Sequence, residues 1–154
     1  MRVSENVLKW AMRLYPPLLF QRIWVQKFEK DFYGVKVKIS KSILNNNYNR
    51  SIFGGTIFSG ADPFYPILFH QILIRKGYKT KIWVKHSEID FIKPAYTSLF
   101  FRIQLTESDI AEVLNDLNTL KRFSKPFIIE LFDNKDQLCC TVKSEINIRP
   151  LRAE

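Results

Sequence analysis

The residues in this chain best placed to do chemistry lie on the run Gly54-Gly55-Thr56-Ile57-Phe58-Ser59-Gly60-Ala61-Asp62. A glycine pair that opens a helix presents backbone N–H groups carrying partial positive charge, so Gly55 and Thr56 are candidates for an oxyanion hole. Glycine also lets a ligand approach the backbone closely. Asp62 supplies a carboxylate. Partial burial against an apolar wall raises a carboxyl pKa and makes it a better base. A structural reading stands beside this one. Asp62-Pro63 is a helix-start signature, with Asp62 as N-cap and Pro63 at the first helical position. Gly54 to Ala61 is then a separate turn or helix. If one helix instead runs from Gly55, Pro63 must kink it. Ser59 brings a hydroxyl to the same region, although a buried helical serine usually bonds its own backbone.

The other reactive side chains point to structure. Cys139 and Cys140 are adjacent, so they cannot cross-link distant parts of a fold, and no CxxC spacing occurs. With only His70 and His86 besides, no metal site and no cofactor are expected. The cysteines read as those of a reduced, intracellular protein; in a strand, one would point inward and one outward. His70 falls within an apolar stretch and reads as a core or interface histidine. His86, Glu88 and Asp90 alternate onto one strand face, as solvent or a dimer seam requires. Trp10, Trp24 and Trp83 read as core or interface anchors.

These residues must be positioned by a single domain of 154 residues, with 24 basic and 15 acidic side chains and a net charge of +9. Thirteen Phe, six Tyr and three Trp exclude a disordered chain. Lys36, Lys38 and Lys41 lie near one strand, and Arg75, Lys76, Lys79, Lys81 and Lys85 cluster after the apolar helix; such a surface attracts anions. No nucleic-acid motif is present, and the aromatics lie in apolar runs away from the lysines, so nucleic acid is not an expected partner. The first 21 residues carry Glu5, Lys9 and Arg13 within their apolar pattern and lack a cleavage site. Asp62, Pro63, Pro66, His70 and Gln71 interrupt the longest apolar stretch, so no transmembrane segment is expected and the expected location is cytoplasmic.

Helical spacing predicts a helix over 4–15, stopped by Pro16-Pro17, and an amphipathic helix over 18–30. Strict alternation from Val35 to Ser40 predicts a strand. Asn45 to Asn49 is a loop by composition. From Phe64 to Ile74 the chain is almost continuously apolar, so this helix should be buried, with Gly77 just past its end as C-cap glycine. Strands are expected over 81–92 and 99–105. A helix over 106–120 opens with a capping box at Thr106 to Asp109. A hairpin of 126–132 with 137–148 turns at Asp133 to Asp136. The whole is an α+β domain in which an antiparallel sheet wraps one long helix, with residues 1–32 as a helical extension and 33–150 as the core.

The run from Gly54 to Asp62 resembles the Gly-Gly…Ala-Asp segment of the PaaI-like hotdog-fold thioesterases, and Glu88 to Ala95 resembles the strand that follows their central helix. Gly54 to Tyr65, Gly77-Tyr78, Trp83 and Phe91-Ile92-Lys93-Pro94 are similar to a hotdog subfamily related to the C-terminal domain of the bacterial protein YiiD, which also carries an N-terminal helical extension with Pro-Pro. The resemblance implies a hotdog fold, a homodimer that can pair into a tetramer, and a site between subunits for an acyl-CoA or other acyl thioester. It implies Asp62 as base or nucleophile, Gly55 as donor to the thioester oxygen and Asn49 as the residue that holds nucleophile or water. Phe53, Gly54, Thr56 and Ser59 would then contact substrate. Many PaaI-like enzymes have histidine just before the glycine pair, where this chain has Phe53. That departure implies a second reading, an acyl or acyl-CoA binding module without turnover.

Overall fold

A computed structural model describes residues 3–151. The elements run α1 (Glu5–Leu14), α2 (Pro16–Phe20), β1 (Ile23–Phe28), a 3-10 turn (Lys30–Phe32), β2 (Gly34–Ile39), α3 (Gly54–Ala61), α4 (Phe64–Arg75), β3 (Thr80–Phe91), β4 (Leu99–Gln104), α5 (Glu107–Thr119), β5 (Phe123–Phe132) and β6 (Leu138–Pro150). The strands form one antiparallel sheet in the order β1-β2-β4-β5-β6-β3, and it wraps α4. This is the hotdog arrangement.

Helix α4 is the axis because it has no polar face to show to water. Phe64, Leu68, Phe69 and Leu73 have no exposed surface, and burying each contributes about 1.5–3 kcal/mol. Gly77 adopts φ +88 just past its end, and the Tyr78 N–H donates back to the Leu73 carbonyl at 2.9 Å. Arg75 leaves the same end to bond Glu5 at 3.2 Å and Asp31 at 3.4 Å, tying α1 and the 3-10 turn to the central helix. Strands β4 and β5 pair only at Phe100–Phe132. Aromatic rings from α4 fill the inner side of this divergence, with Phe64 against Phe101 and Tyr65 against Phe127. The Tyr65 hydroxyl donates to the Ile128 carbonyl at 3.4 Å.

Two expectations are corrected here. The helix expected over 18–30 ends at Phe20, and Ile23–Phe28 is a strand paired with β2. The register shifts between Val25 and Lys27, so the buried residues are Ile23, Val25 and Phe28. The bulge turns a spacing of two into a spacing of three, which imitates helical periodicity. Arg22 at φ 61 also breaks any continuous helix. The second correction concerns the cysteines: both Cys139 and Cys140 are fully buried. The register of β6 against β5 pairs Leu131 with Cys140 and Phe132 with Leu138. Cys139 is therefore the extra residue of a bulge, and strict inside–outside alternation fails there.

The remaining elements lie where the sequence places them, to within a few residues. Thr106 and Asp109 form the capping box of α5. Asp133 organises the hairpin turn by accepting from the Lys135 and Gln137 N–H groups. No helix among the described residues is long and apolar enough to cross a membrane.

Candidate active site on the kinked central helix

The loop that delivers the glycine pair is built by asparagines. Buried Asn45 donates to the Gln21 and Ser40 carbonyls, both at 2.9 Å, and its own carbonyl accepts the Phe53 N–H at 2.7 Å. Asn47 accepts from the Asn49 and Ser51 N–H groups at 3.0 and 3.1 Å. The Ile52 N–H donates to the Ala95 carbonyl at 2.9 Å, which fixes this loop to the segment after β3. Asn45 and Asn47 were read from the sequence only as loop composition. Their clustering with Ser42 and Ser51 was the available sign of side-chain-organised backbone. Asn49 is exposed, and its side chain has no partner among the described residues.

At the start of α3 the Thr56 N–H donates to the Phe53 carbonyl at 2.9 Å. Thr56 is itself buried. The expected donor pair of Gly55 and Thr56 is thereby corrected: the two N–H groups without a partner among the described residues are those of Gly54 and Gly55. Both glycines lie under aromatic rings. A Cβ on Gly54 would stand 2.9 Å from Cζ of Phe91, and one on Gly55 would stand 2.4 Å from Cε1 of Phe53. Any larger residue would displace these rings. Gly54, Asn49, Ile57 and the Phe91–Ala95 segment line a cleft of about 350 Å³. Lys93, on its rim, bonds Asp133 at 2.8 Å and also donates to Gln137.

Asp62 lies at the other end of α3. Its backbone is helical, at φ −58 and ψ −50, and its N–H donates to the Phe58 carbonyl at 3.1 Å. Pro63 follows at φ −81 and ψ −18, and no side chain caps α4. The reading of Asp62 as the N-cap of a helix beginning at Pro63 is therefore corrected: Asp62 closes α3, and α3 and α4 are one helical path, kinked where Pro63 cannot donate. The Asp62 carboxylate has no partner among the described residues, and desolvation pushes its pKa above the ordinary carboxylate value. It lines a second cleft, of about 370 Å³, walled by Tyr15, Pro17 and Leu18 of the N-terminal helices and by Phe58 and Pro63. Ser59 lines it too, but its hydroxyl donates to the Gly55 carbonyl at 2.9 Å.

Within one chain the structure thus brings together Asn49, Phe53, Gly54 and Gly55, and holds Asp62 apart from them. At 1.5 Å per residue, Asp62 lies roughly 10–12 Å farther along the helix. His70, half-buried farther along the same path, has its pKa lowered by desolvation. A larger cavity of about 620 Å³ opens on the outer face of the sheet at the β4–β5 divergence. Of its charged residues, Arg102 is engaged with Gln104 and Glu29. None of its lining residues belongs to α3, whereas Gly54 and Asp62 line the other two clefts.

The chain is similar to known proteins over nearly its whole length. A family model described as a domain of unknown function, DUF4442, matches residues 4–148. Among solved structures, a Pseudomonas aeruginosa protein of unknown function, described as a probable thioesterase, is 14% identical with a TM-score of 0.87, over 98% of this chain and 99% of that one. A Haemophilus influenzae thioesterase is 11% identical with a TM-score of 0.71, over 100% and 96%. The Escherichia coli PaaI protein from the phenylacetic acid degradation operon is 12% identical with a TM-score of 0.63, over 97% and 98%. No curated protein matches the sequence.

Proposed function

The chain belongs to the DUF4442 family, and from that premise we propose that it is an acyl-CoA thioesterase whose site is completed between two subunits. The observation that carries this reading is the equipment of α3. Two N–H groups without a partner among the described residues sit at its start, Gly54 lining a cleft with Ile57 and Phe91, and a carboxylate likewise without one, its pKa raised, sits at its end. The structural neighbours described as thioesterases support the same reading. In it, Asp62 of one subunit meets the Gly54–Gly55 donors and Asn49 of the other. Strand β3 supplies a twelve-residue free edge for pairing with a second copy, and two dimers can pair further into a tetramer. The buried free thiols of Cys139 and Cys140 fit a reducing, cytoplasmic setting.

The chemistry runs as follows. Asp62 takes a proton from water, and the hydroxide adds to the thioester carbonyl. The developing oxyanion accepts hydrogen bonds from Gly54 and Gly55. Collapse breaks the C–S bond, and the thiolate recovers the proton from Asp62, giving a carboxylic acid and a free thiol. Direct attack by Asp62 is the alternative, forming a mixed anhydride that water then opens. The Tyr15, Leu18 and Phe58 wall beside Asp62 would hold the acyl group. The test is thiol release from short, long and aryl acyl-CoAs. Asp62→Asn is expected to lose about 10²–10⁴-fold in turnover, and full activity in that variant would overturn the assignment.

One observation favours a second reading. Phe53 presents an apolar ring beside the donors and has no group to orient a carbonyl. In a binding module without turnover, acyl-CoA would titrate with measurable heat while no thiol appears.

A further inference from the structure

We propose that the end of the sheet opposite the candidate site is a docking surface for an anionic lipid bilayer. At this end the chain collects the start of β3, the end of β6, the start of β5 and the turn after α5. The ladders set Lys81 opposite Arg149 and Phe123 opposite Ile148. The Leu151 N–H donates to the Lys79 carbonyl at 2.9 Å, which closes the corner. Lys121, Arg122, Arg149 and Leu151 line a cavity of about 440 Å³ there. At 3.3 Å per residue, β3 places this corner roughly 35 Å from Phe91 and the glycine pair of the same chain, and the proposal does not rest on the reading above.

Among the described residues the corner is cationic without compensation. Lys79, Lys81, Lys121, Arg122 and Arg149 are all exposed. None lies within ion-pair distance of a carboxylate among the described residues. Lys121 is held by the Asn118 carbonyl at 3.0 Å, and the Arg149 guanidinium lies over the Trp83 ring at 5.6 Å. Two exposed leucines accompany these charges, Leu151 at 55% exposure in the cavity lining and Leu120 at 69% beside Lys121 in the chain. Cations alone fit any polyanion. Cations surrounding exposed leucines fit a bilayer, where lipid phosphates meet the charges and the interface takes up the apolar tips. Trp83, the aromatic ring in this group, is half-buried under Arg149, so no open face is offered for base stacking as nucleic-acid binding would need.

The experiment is co-sedimentation of the full-length protein with vesicles of phosphatidylglycerol and phosphatidylcholine, beside vesicles of phosphatidylcholine alone. Binding is expected only with the anionic lipid and should weaken as salt rises. Lys121→Gln with Arg149→Gln should weaken it about 30-fold, from about 1 kcal/mol per charge near the surface. Lys36→Gln with Lys135→Gln removes the same charge elsewhere and should change binding less than about fivefold. Leu120→Ser with Leu151→Ser should lower the binding that persists at high salt. The proposal fails if the parent does not bind anionic vesicles at low salt, if the two charge pairs weaken binding equally, or if inorganic phosphate at millimolar concentration displaces the protein. It fails equally if a duplex oligonucleotide binds this corner more tightly than the vesicles do.

Discussion

Replacing Gly55 by alanine sets a methyl group against the ring of Phe53. The new Cβ would lie 2.4 Å from Cε1 and 3.1 Å from Cδ1 and Cζ. Carbon atoms rest about 3.5–4.0 Å apart, so the ring must retreat by about 1 Å. Phe53 is 56% exposed, and it can swing into solvent. Burying a whole Phe side chain contributes about 1.5–3 kcal/mol, so giving up the buried part costs about 1 kcal/mol. Alanine in place of glycine inside a helix returns about 0.5–1 kcal/mol. The two nearly cancel, and Gly55→Ala should unfold in urea within about 1 kcal/mol of the parent. Gly60→Ala is the contrast on the same helix. Its Cβ would lie 2.7 Å from Cδ1 and 3.2 Å from Cγ1 of Ile39, a side chain with no exposed surface. Nothing there can swing away, and overpacking costs about 1–3 kcal/mol. Thiol release should rank the two variants in the opposite order. The displaced ring and the added methyl crowd the Gly54 and Gly55 donors, and losing one such donor costs about 10²–10³ in kcat. The reasoning is refuted if Gly55→Ala is destabilised as much as Gly60→Ala, or if it folds normally and turns over at the parent rate.

Three further outcomes follow from the same geometry. Partial desolvation in its cleft raises the Asp62 pKa in the folded chain, although the residue keeps exposed surface, so the folded state binds its proton more tightly than the unfolded state, and stability falls as pH rises through that window. Asp62→Asn should therefore be more stable than the parent at pH 7, with the gap closing by about pH 3; equal gaps at both pH values would count against it. Asp133 is the opposite case. The Lys93 hydrogen bond, with backbone donors from the turn, holds its pKa down to about 2. Its stabilisation is present above the ordinary carboxylate pKa and is lost as pH falls through about 2, so Lys93→Met should flatten the acid limb of the urea-midpoint curve; superimposable limbs would exclude the linkage. Desolvation pushes the Cys140 thiol up to about 12 and raises that of Cys139. Both thiols should stay silent to a disulfide reagent at pH 8 and react only in denaturant; a thiol titrating in the native protein would show that the β6 bulge opens.

The sequence by itself determined the elements whose cues are local. A run with no polar face must be enclosed, so Phe64 to Ile74 had to be the core helix. The Thr106 capping box, the Asp133 turn and Gly77 act within a few residues, and each appears where its chemistry requires. Tertiary structure decided what depended on distant partners. Strand β1 exists because β2 offers an edge to pair with, and its bulge disguised it as a helix. Cys139 is buried because of a register shift against β5. The Asp62-Pro63 dipeptide carries the same cap signature whether a helix begins there or merely bends; packing against the sheet keeps the backbone helical and leaves the carboxylate without a partner among the described residues. Gly54 and Gly55 were legible as residues allowing close approach, but what approaches them was not. The rings are Phe53 and Phe91, one adjacent in sequence and one delivered by the far end of β3.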